Sequence, residues 1–307
     1  EQTLGFDGRC VDARTGRRYH RLVRQLGAKL NHQLDLVGEI WPRRPPLPAR
    51  PAWLLDESYA GVSRREKLAD LRAVLAAEGS DVLLLTGLED IAWLLNLRGS
   101  DLPTTPVVLS NLALTRDACT LFAQAASFPP AVLAALEADG VTLRPYEGFF
   151  SYTGRLTAGQ KVRLDTRRVS TSLLTSIPSE VKVLDRPDPT ELRRAVKNPT
   201  EIENLRQAHL ADGIALTRFH YWLKHRPADR VITELSAAAR KPCARSSPTI
   251  SSPASIPSWP PETTAPSSTT PPPLLPTAPW AQRASCWPTP GDTTTPAPPT
   301  APGPMPS

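Results

Sequence analysis

Residues 63–101, SRREKLADLRAVLAAEGSDVLLLTGLEDIAWLLNLRGSD, place two helix patterns and a strand pattern within one short stretch of the chain. Ser63 stands three residues before Glu66, the spacing of a capping box, in which both side chains bind free N–H groups at a helix start. Apolar residues then recur at spacings of three and four: Leu68, Leu71, Val74 and Leu75. Because Gly79 can adopt the left-handed conformation that ends helices, this pattern predicts a helix over residues 63–79 with one face against a core.

A strand and a second helix are predicted directly after it. Residues 81–86 (DVLLLT) have the short apolar run of a strand buried on both faces, and residues 88–97 (LEDIAWLLNL) return to helical spacing. Glu89 and Asp90 fall in the first turn of that helix, where acidic groups interact favourably with the helix dipole. Adjacent helix residues point about 100° apart, so these two carboxylates are not expected to share one site.

The remaining patterns predict an α/β fold. Before the central stretch, we expect a strand and turn at residues 4–8, a helix at 17–27, a strand at 34–39 and a proline-rich connector at 41–51. After it, we expect a hairpin of strands 106–115 and 119–123, helices at 129–139 and 171–176, and strands at 141–146, 162–165 and 181–184. These elements predict a mixed sheet flanked by helices, with both edges partly formed by hairpins.

A short helix at 188–196 and a long helix at 198–225 are predicted next. Pro199 suits the first turn of the long helix, where its missing N–H is not needed. An apolar stripe on this helix needs a sheet to cover it, and consists of Ile202, Leu205, Leu216, Phe219 and Leu223. His209, Asp212, His220 and His225 lie on the same helix. They could form a metal or acid–base site, but solvated or packed histidines are the simpler interpretation.

The run at residues 90–101, DIAWLLNLRGSD, closely resembles one at the start of the second domain of three-domain Xaa-Pro aminopeptidases, also called aminopeptidase P. These enzymes belong to the creatinase/pita-bread metallopeptidase family. The resemblance extends through further segments, LGFDG (4–8), LDLVGEIW (34–41), PPL (45–47), YAGVSRREK (59–67) and AVKNPTEIENLRQA (195–208), and stops near Arg240.

The resemblance implies four segments. Residues 1–58 are expected to be the last part of an incomplete first creatinase-like domain, and residues 59–190 a complete second one, which in the family is non-catalytic and shapes access to the active site. Residues 191–240 would hold the opening helices of the catalytic pita-bread domain. Residues 241–307 are expected to be a disordered tail.

The resemblance also implies a reaction and its cofactors. Family members remove an amino-terminal residue that precedes proline, using two divalent metal ions, usually manganese, held by two aspartates, a histidine and two glutamates. They are often homodimeric. After Arg240 this chain has two acidic residues, Glu262 and Asp292, and no histidine. We therefore assign no catalytic, cofactor-binding or metal-binding residue in this chain, and expect it to bind no catalytic metal.

The tail contains 20 of the 35 prolines of the 307-residue chain. As a natural segment it could be a linker or a polyproline ligand for aromatic grooves. The abrupt change of composition instead suggests reading out of frame. With the frame shifted by two bases, residues 262–271 permit the sequence DDGAIVHYS, and residues 286–300 permit LADSGGHYHAGTTD, whose first and last aspartates are eleven residues apart, as in the family's metal-binding pair.

Charge and cysteine content exclude several classes of protein function. The net charge is +6, but the arginines form no sustained basic stripe with interleaved aromatic residues, so no nucleic-acid partner is expected. The four cysteines lack the paired spacing of a zinc site or disulfide framework. Neither a signal peptide nor an apolar run of transmembrane length occurs, so we expect a cytoplasmic protein without membrane contact.

The sequence thus predicts an inactive fragment of a Xaa-Pro aminopeptidase, truncated at its start and shifted out of frame after Arg240. The alternative is a non-catalytic creatinase-like binding or regulatory module with a genuine proline-rich interaction tail.

Overall fold

A six-stranded sheet organises the part of the chain that the computed structural model describes, residues 2–103, 105–225, 233–234 and 237. The strands are β1 Thr3–Gly5, β2 Lys29–Asn31, β3 Trp53–Leu54, β4 Val82–Leu85, β5 Leu97–Arg98, β6 Ser110–Thr115, β7 Cys119–Ala123, β8 Val141–Pro145, β9 Lys161–Leu164 and β10 Lys182–Asp185. The helices are α1 Ala13–Gln25, α2 Leu36–Ile40, α3 Glu57–Ala60, α4 Arg64–Glu78, α5 Leu88–Leu94, α6 Pro130–Ala138, α7 Gly148–Thr153, α8 Thr171–Ser176, α9 Pro189–Ala195 and α10 Pro199–Lys224. A 3₁₀ turn spans Ala125–Ser127.

The main sheet is mixed, as predicted, with the strand order β10-β9-β4-β6-β7-β8. Strands β10, β9 and β4 are parallel to one another, β6 is antiparallel to β4 and β7, and β8 is parallel to β7. The predicted β6–β7 hairpin is confirmed, but the expectation of hairpins at both edges is wrong. Edge strands β8 and β10 each follow their neighbouring strand through a helix, and such crossovers produce parallel pairs.

The helix predicted over residues 63–79 is confirmed together with both of its ends. The Glu66 backbone N–H donates to Ser63 Oγ (3.2 Å), and the Ser63 backbone N–H donates to Glu66 Oε2 (3.0 Å), which completes the capping box. Gly79 ends the helix with φ +63°. Leu68, Leu71 and Leu75 of the predicted apolar stripe are fully buried.

Strand β4 is buried on both faces, also as predicted. Leu83 and Leu85 belong to the apolar cluster that contains the buried leucines of α4, whereas Val82 and Leu84 belong to a second cluster with Phe149, Val162 and Leu173. Successive side chains of a strand point to opposite faces, so this one strand joins the cores on the two sides of the sheet. Each buried leucine contributes roughly 2 kcal/mol through the hydrophobic effect.

One prediction in the amino-terminal region is wrong. Residues 34–39 were expected to form a strand, but residues 36–40 form the short helix α2. The reason is the Asp35 side chain, which accepts a hydrogen bond from the Gly38 backbone N–H at 2.8 Å and so caps a helix start. The helix predicted over residues 17–27 is confirmed as α1, with an earlier start because Asp12 accepts from the Thr15 backbone N–H.

Helices α1 and α8 lie very close together at one point. A methyl group at Gly16 of α1 would overlap the hydroxyl and the methyl group of Thr171 at the start of α8. Glycine is therefore required at this contact for steric reasons, since any larger residue would push the two helices apart.

Residues up to Asn204 form one compact unit. Helix α10 runs close to its predicted length, and Ile202, Leu205 and Leu216 of its apolar stripe are exposed. In the described part of the chain, no helix is both long and apolar enough to cross a membrane. The expectations for residues 241–307 lie outside the described residues.

Candidate functional site at the carboxyl edge of the parallel strands

Strands β4, β9 and β10 all end at the same edge of the main sheet, because they are parallel. From this edge β4 continues through α5 towards β6, whereas β9 continues through α8 to β10 on the other side. In open α/β sheets, ligands commonly bind where the connections of neighbouring parallel strands diverge in this way. The topology therefore predicts a ligand site in the gap between the ends of β4 and β9.

This crevice is occupied by charged side chains of the protein itself. Asp90 of α5 is fully buried and accepts hydrogen bonds from Arg168 Nη1 (2.6 Å) and Arg194 Nε (3.1 Å). Arg168 follows β9 and Arg194 lies on α9, so the buried carboxylate joins three separate segments. We refer to Asp90, Arg168, Arg194 and Asp188 as the buried ionic cluster.

Glu89 and Asp90 lie in the first turn of α5, as predicted, and they differ in burial, since Asp90 is fully buried and Glu89 is exposed. Arg194 Nη1 also donates to Glu89 Oε2 at 2.6 Å, so both carboxylates bind one guanidinium group. The two side chains point in different directions, but the forked end of an arginine is wide enough to reach both. Asp90 thus anchors α9 and does more than place a charge in the first turn of its helix.

Asp188 is the least satisfied member of the buried ionic cluster. Among the described residues, neither of its buried carboxylate oxygens has a hydrogen-bond partner, and Arg168 Nε is the nearest cation at 3.7 Å. Burial raises the pKa of Asp188 to about 7, against the attraction of Arg168, and the neighbouring carboxylates Asp165 and Asp90 add to the increase. Burial would also raise the pKa of Asp165, but hydrogen bonds from the Arg167 side chain and backbone lower it below its ordinary value.

The run at residues 90–101 forms a second polar network, around Lys67. The buried Lys67 Nζ donates to Asn96 Oδ1 (2.7 Å) and to the Trp93 carbonyl (2.9 Å), and it lies 4.5 Å from the centre of the Trp93 ring. Burial lowers the pKa of Lys67 to about 8. Asn96 Nδ2 donates to the Val62 carbonyl, so the network fixes the end of α5 against the start of α4.

The last polar residues of this run also bind other parts of the domain. Asn96 has φ +49°, a left-handed conformation that asparagine tolerates better than most residues. Arg98 Nη1 donates to the Ala92 carbonyl at 2.7 Å. Asp101 accepts from the backbone N–H groups of Arg50 (3.0 Å) and Leu109 (2.8 Å). The polar side chains that carry the family resemblance thus hold the domain together.

An open cleft lies beside the buried ionic cluster, between α1, α8 and the segments that follow β9 and β10. Its volume is about 620 Å³. Arginine, histidine and threonine side chains dominate its lining, together with the carboxylates of Asp165 and Asp185. We call this surface the basic cleft. The sequence analysis missed it, although the spacing of Arg14, Arg17 and Arg21 predicts one basic face on a helix.

The histidines weighed as ligands do not meet on α10. His225 stacks on Tyr221 with the ring centres 3.9 Å apart, and His220 contacts the ring of Phe219. Among the described residues, no three histidine, cysteine, aspartate or glutamate side chains come together in a way that could hold a metal ion. The described residues therefore do not fit a two-metal centre.

Comparisons with known proteins agree with this architecture. Residues 43–201, more than half of the chain, match the family model described as the Creatinase/Prolidase N-terminal domain. A probable Xaa-Pro aminopeptidase P from Talaromyces marneffei is 30% identical over 234 residues, which cover 73% of this chain and 36% of that protein. Aminopeptidase P1 of Arabidopsis thaliana is 29% identical over 274 residues, covering 79% of this chain and 42% of that protein.

A solved structure also resembles this chain. The X-prolyl aminopeptidase of Caenorhabditis elegans, described as a cytosolic enzyme with a di-nuclear active site, superposes with a TM-score of 0.74 at 26% identity. The superposition covers 80% of this chain and 41% of that enzyme. The chain thus spans less than half the length of these relatives.

The mixed sheet and its helices define a creatinase-type α/β domain. The match over residues 43–201 shows that the chain belongs to the family of proteins with a creatinase/prolidase N-terminal domain. The relatives reported above are named Xaa-Pro aminopeptidase P, aminopeptidase P1 and X-prolyl aminopeptidase, and the resemblance found in the sequence is confirmed.

Proposed function

We propose that this chain corresponds to the non-catalytic amino-terminal part of a Xaa-Pro aminopeptidase and does not cleave peptides by itself. In a complete enzyme of this kind, its creatinase-like domain would shape the route by which peptides with proline in second position reach the catalytic domain. The observation that carries the proposal is that the polar side chains of residues 90–101 are used for contacts within the domain. Asp90, Asn96, Arg98 and Asp101 all bind the domain's own backbone or side chains.

The composition beyond Arg240 supports the absence of activity. Two divalent ions, usually manganese in these enzymes, need several carboxylates and a histidine as ligands. Residues 241–307 contain Glu262 and Asp292 as their acidic residues and no histidine. We propose that this segment is read out of frame, that residues 1–58, 59–190 and 191–240 correspond to three successive parts of the enzyme, and that the protein is cytoplasmic, like the Caenorhabditis elegans relative.

A peptidase assay tests this proposal. The purified full chain is incubated with manganese and a tripeptide that has proline in second position, and release of the first residue is followed by chromatography. An intact Xaa-Pro aminopeptidase in the same buffer is the positive control. We expect release at the background rate, because no Lewis acid polarises the scissile carbonyl. Turnover that scales with protein and disappears with a chelator contradicts the proposal.

The reading frame has a separate test. Sequencing the DNA across the codon for Arg240 shows whether an inserted or deleted base lies there. An uninterrupted frame, with the same tail encoded in independent isolates, contradicts the frameshift and favours a genuine proline-rich tail.

A further inference from the structure

We propose that the basic cleft binds the phosphate groups of a small molecule, most simply a diphosphate or its ester. This site is separate from the role in peptide access proposed above, and it uses residues that the buried ionic cluster does not contain. The proposal rests on the shape of the cleft, on the arginines that line it and on two of these arginines, Arg14 and Arg21, with which no carboxylate of the described residues pairs.

The cations of the cleft come from two sides. Arg14, Arg17 and Arg21 follow one another on α1 at spacings of three and four residues and line one wall. Arg186, directly after β10, and Arg167, after β9, belong to the opposite side. Guanidinium groups bind phosphate oxygens in pairs, and their convergence from two sides favours an anion between them over a flat surface contact.

The carboxylates in the lining already have partners. Asp185 binds Arg17 Nη1 at 3.3 Å and accepts from the Thr166 hydroxyl at 2.8 Å, while Asp165 binds Arg167. In the described part of the chain, no carboxylate pairs with the guanidinium groups of Arg14 or Arg21. Arg186 pairs with Glu78 at 3.4 Å, and Arg167 also pairs with Glu191 at 3.3 Å. The positive charge that remains available to a ligand is therefore that of Arg14 and Arg21.

Helix α1 contains five arginines and one histidine but no acidic residue. Like charges three or four residues apart destabilise a helix by a few tenths of a kcal/mol per pair. Solvent-exposed helices usually avoid this by mixing signs, and a bound polyanion would remove the repulsion.

The dimensions favour more than one phosphate. Arg14 and Arg21 are two helical turns apart, about 10 Å along the axis, so a ligand with two adjacent anionic groups can engage both better than a single tetrahedral ion. A volume of about 620 Å³ lies within the range of small-molecule sites, and the threonine hydroxyls of the lining are suited to a polar ligand.

The test is equilibrium dialysis of the full chain against radiolabelled pyrophosphate at fixed ionic strength. The variant Arg14→Gln/Arg21→Gln removes two cleft arginines. Its matched control, Arg18→Gln/Arg24→Gln, makes the same charge change on the same helix outside the cleft. We expect the dissociation constant to rise roughly tenfold per cleft arginine, about 100-fold in all, and to change less than about threefold in the control.

Three results overturn the proposal: no binding by the unmodified chain at millimolar pyrophosphate, equal weakening in both double variants, or equally tight binding of citrate at the same concentration. The last result would assign the cleft to carboxylates. Circular dichroism establishes that each variant is folded. If the double variant unfolds, Arg21→Gln alone gives the same test with about a tenfold loss of affinity.

Discussion

The buried ionic cluster and the basic cleft lie side by side on the same edge of one sheet, yet they treat charge in opposite ways. In the cluster, Asp90 is fully buried between two guanidinium groups, and the crevice between β4 and β9 is filled. In the cleft, one strand further along, arginines line open space, and among the described residues no carboxylate pairs with two of them, Arg14 and Arg21. Position on a fold alone therefore does not define a ligand site. What matters is whether the protein's own side chains already satisfy the charges there.

The largest effect is expected from breaking the cluster at its centre. Asp90→Ala leaves Arg168 and Arg194 partly buried without their shared carboxylate, and the loss of such a group destabilises by about 3 kcal/mol. The free energy of unfolding is measured by urea denaturation. Glu89→Ala is the control, because Glu89 is exposed and its pair with Arg194 is worth less than about 1 kcal/mol. Equal losses in the two variants would mean that burial of Asp90 contributes nothing.

A smaller effect, with a characteristic pH dependence, is expected at Asp188. Because its folded pKa of about 7 lies above the ordinary value of 3.8, the folded chain binds this proton more tightly than the unfolded chain. Ionising the buried Asp188 carboxylate lowers the free energy of unfolding. This loss of stability is absent below about pH 4, grows between pH 4 and pH 7, and is complete above pH 7. Asp188→Asn removes the charge and keeps the shape.

We expect Asp188→Asn to stabilise the protein by about 2 kcal/mol at pH 8 and to change little at pH 4. Urea denaturation at both pH values, with Glu191→Gln as an exposed control on α9, measures the difference. Destabilisation by Asp188→Asn at pH 8 would mean that attraction to Arg168 outweighs the cost of burial.

The smallest effect is expected in the basic cleft. Without phosphate, Arg14→Gln/Arg21→Gln should change the free energy of unfolding by less than about 0.5 kcal/mol, and any gain should be largest at low salt, where repulsion is least screened. Thermal denaturation in chloride buffers at two ionic strengths measures this. A loss above 1 kcal/mol would show that these arginines support the fold and are not held ready for an anion.

Sequence patterns predicted the central helices and strands well, because local signals and the apolar periodicity agree there. The capping box at Ser63, Gly79 and the apolar run of β4 all specify the same structure. The strand expected at residues 34–39 failed because one side chain, Asp35, stabilises a helix start that periodicity does not detect. The site was harder to foresee, since Asp90, Arg168 and Arg194 are far apart in sequence and meet only through the crossovers of the sheet.

Charge composition was misleading for a related reason. Counted along the chain, the arginines look dispersed, and the expectation that they form no basic stripe took no account of the helical face shared by Arg14, Arg17 and Arg21. Helix α1 turns that spacing into one wall, but the opposite wall comes from residues 165–167 and 185–187, more than a hundred positions later. A local pattern could reveal the first wall, whereas the second depends on the fold.

The contact at Gly16 gives the basic cleft a means of adjustment that needs no change in its charges. Side chains of α1 and α8 line the cleft. These two helices can approach as closely as they do because residue 16 is glycine and has no methyl group to overlap Thr171. Gly16→Ala would act as a spacer and displace α1 with its arginines, widening the opening without removing any of its charges. The size of molecule that the cleft admits would therefore depend on a residue that carries no charge of its own.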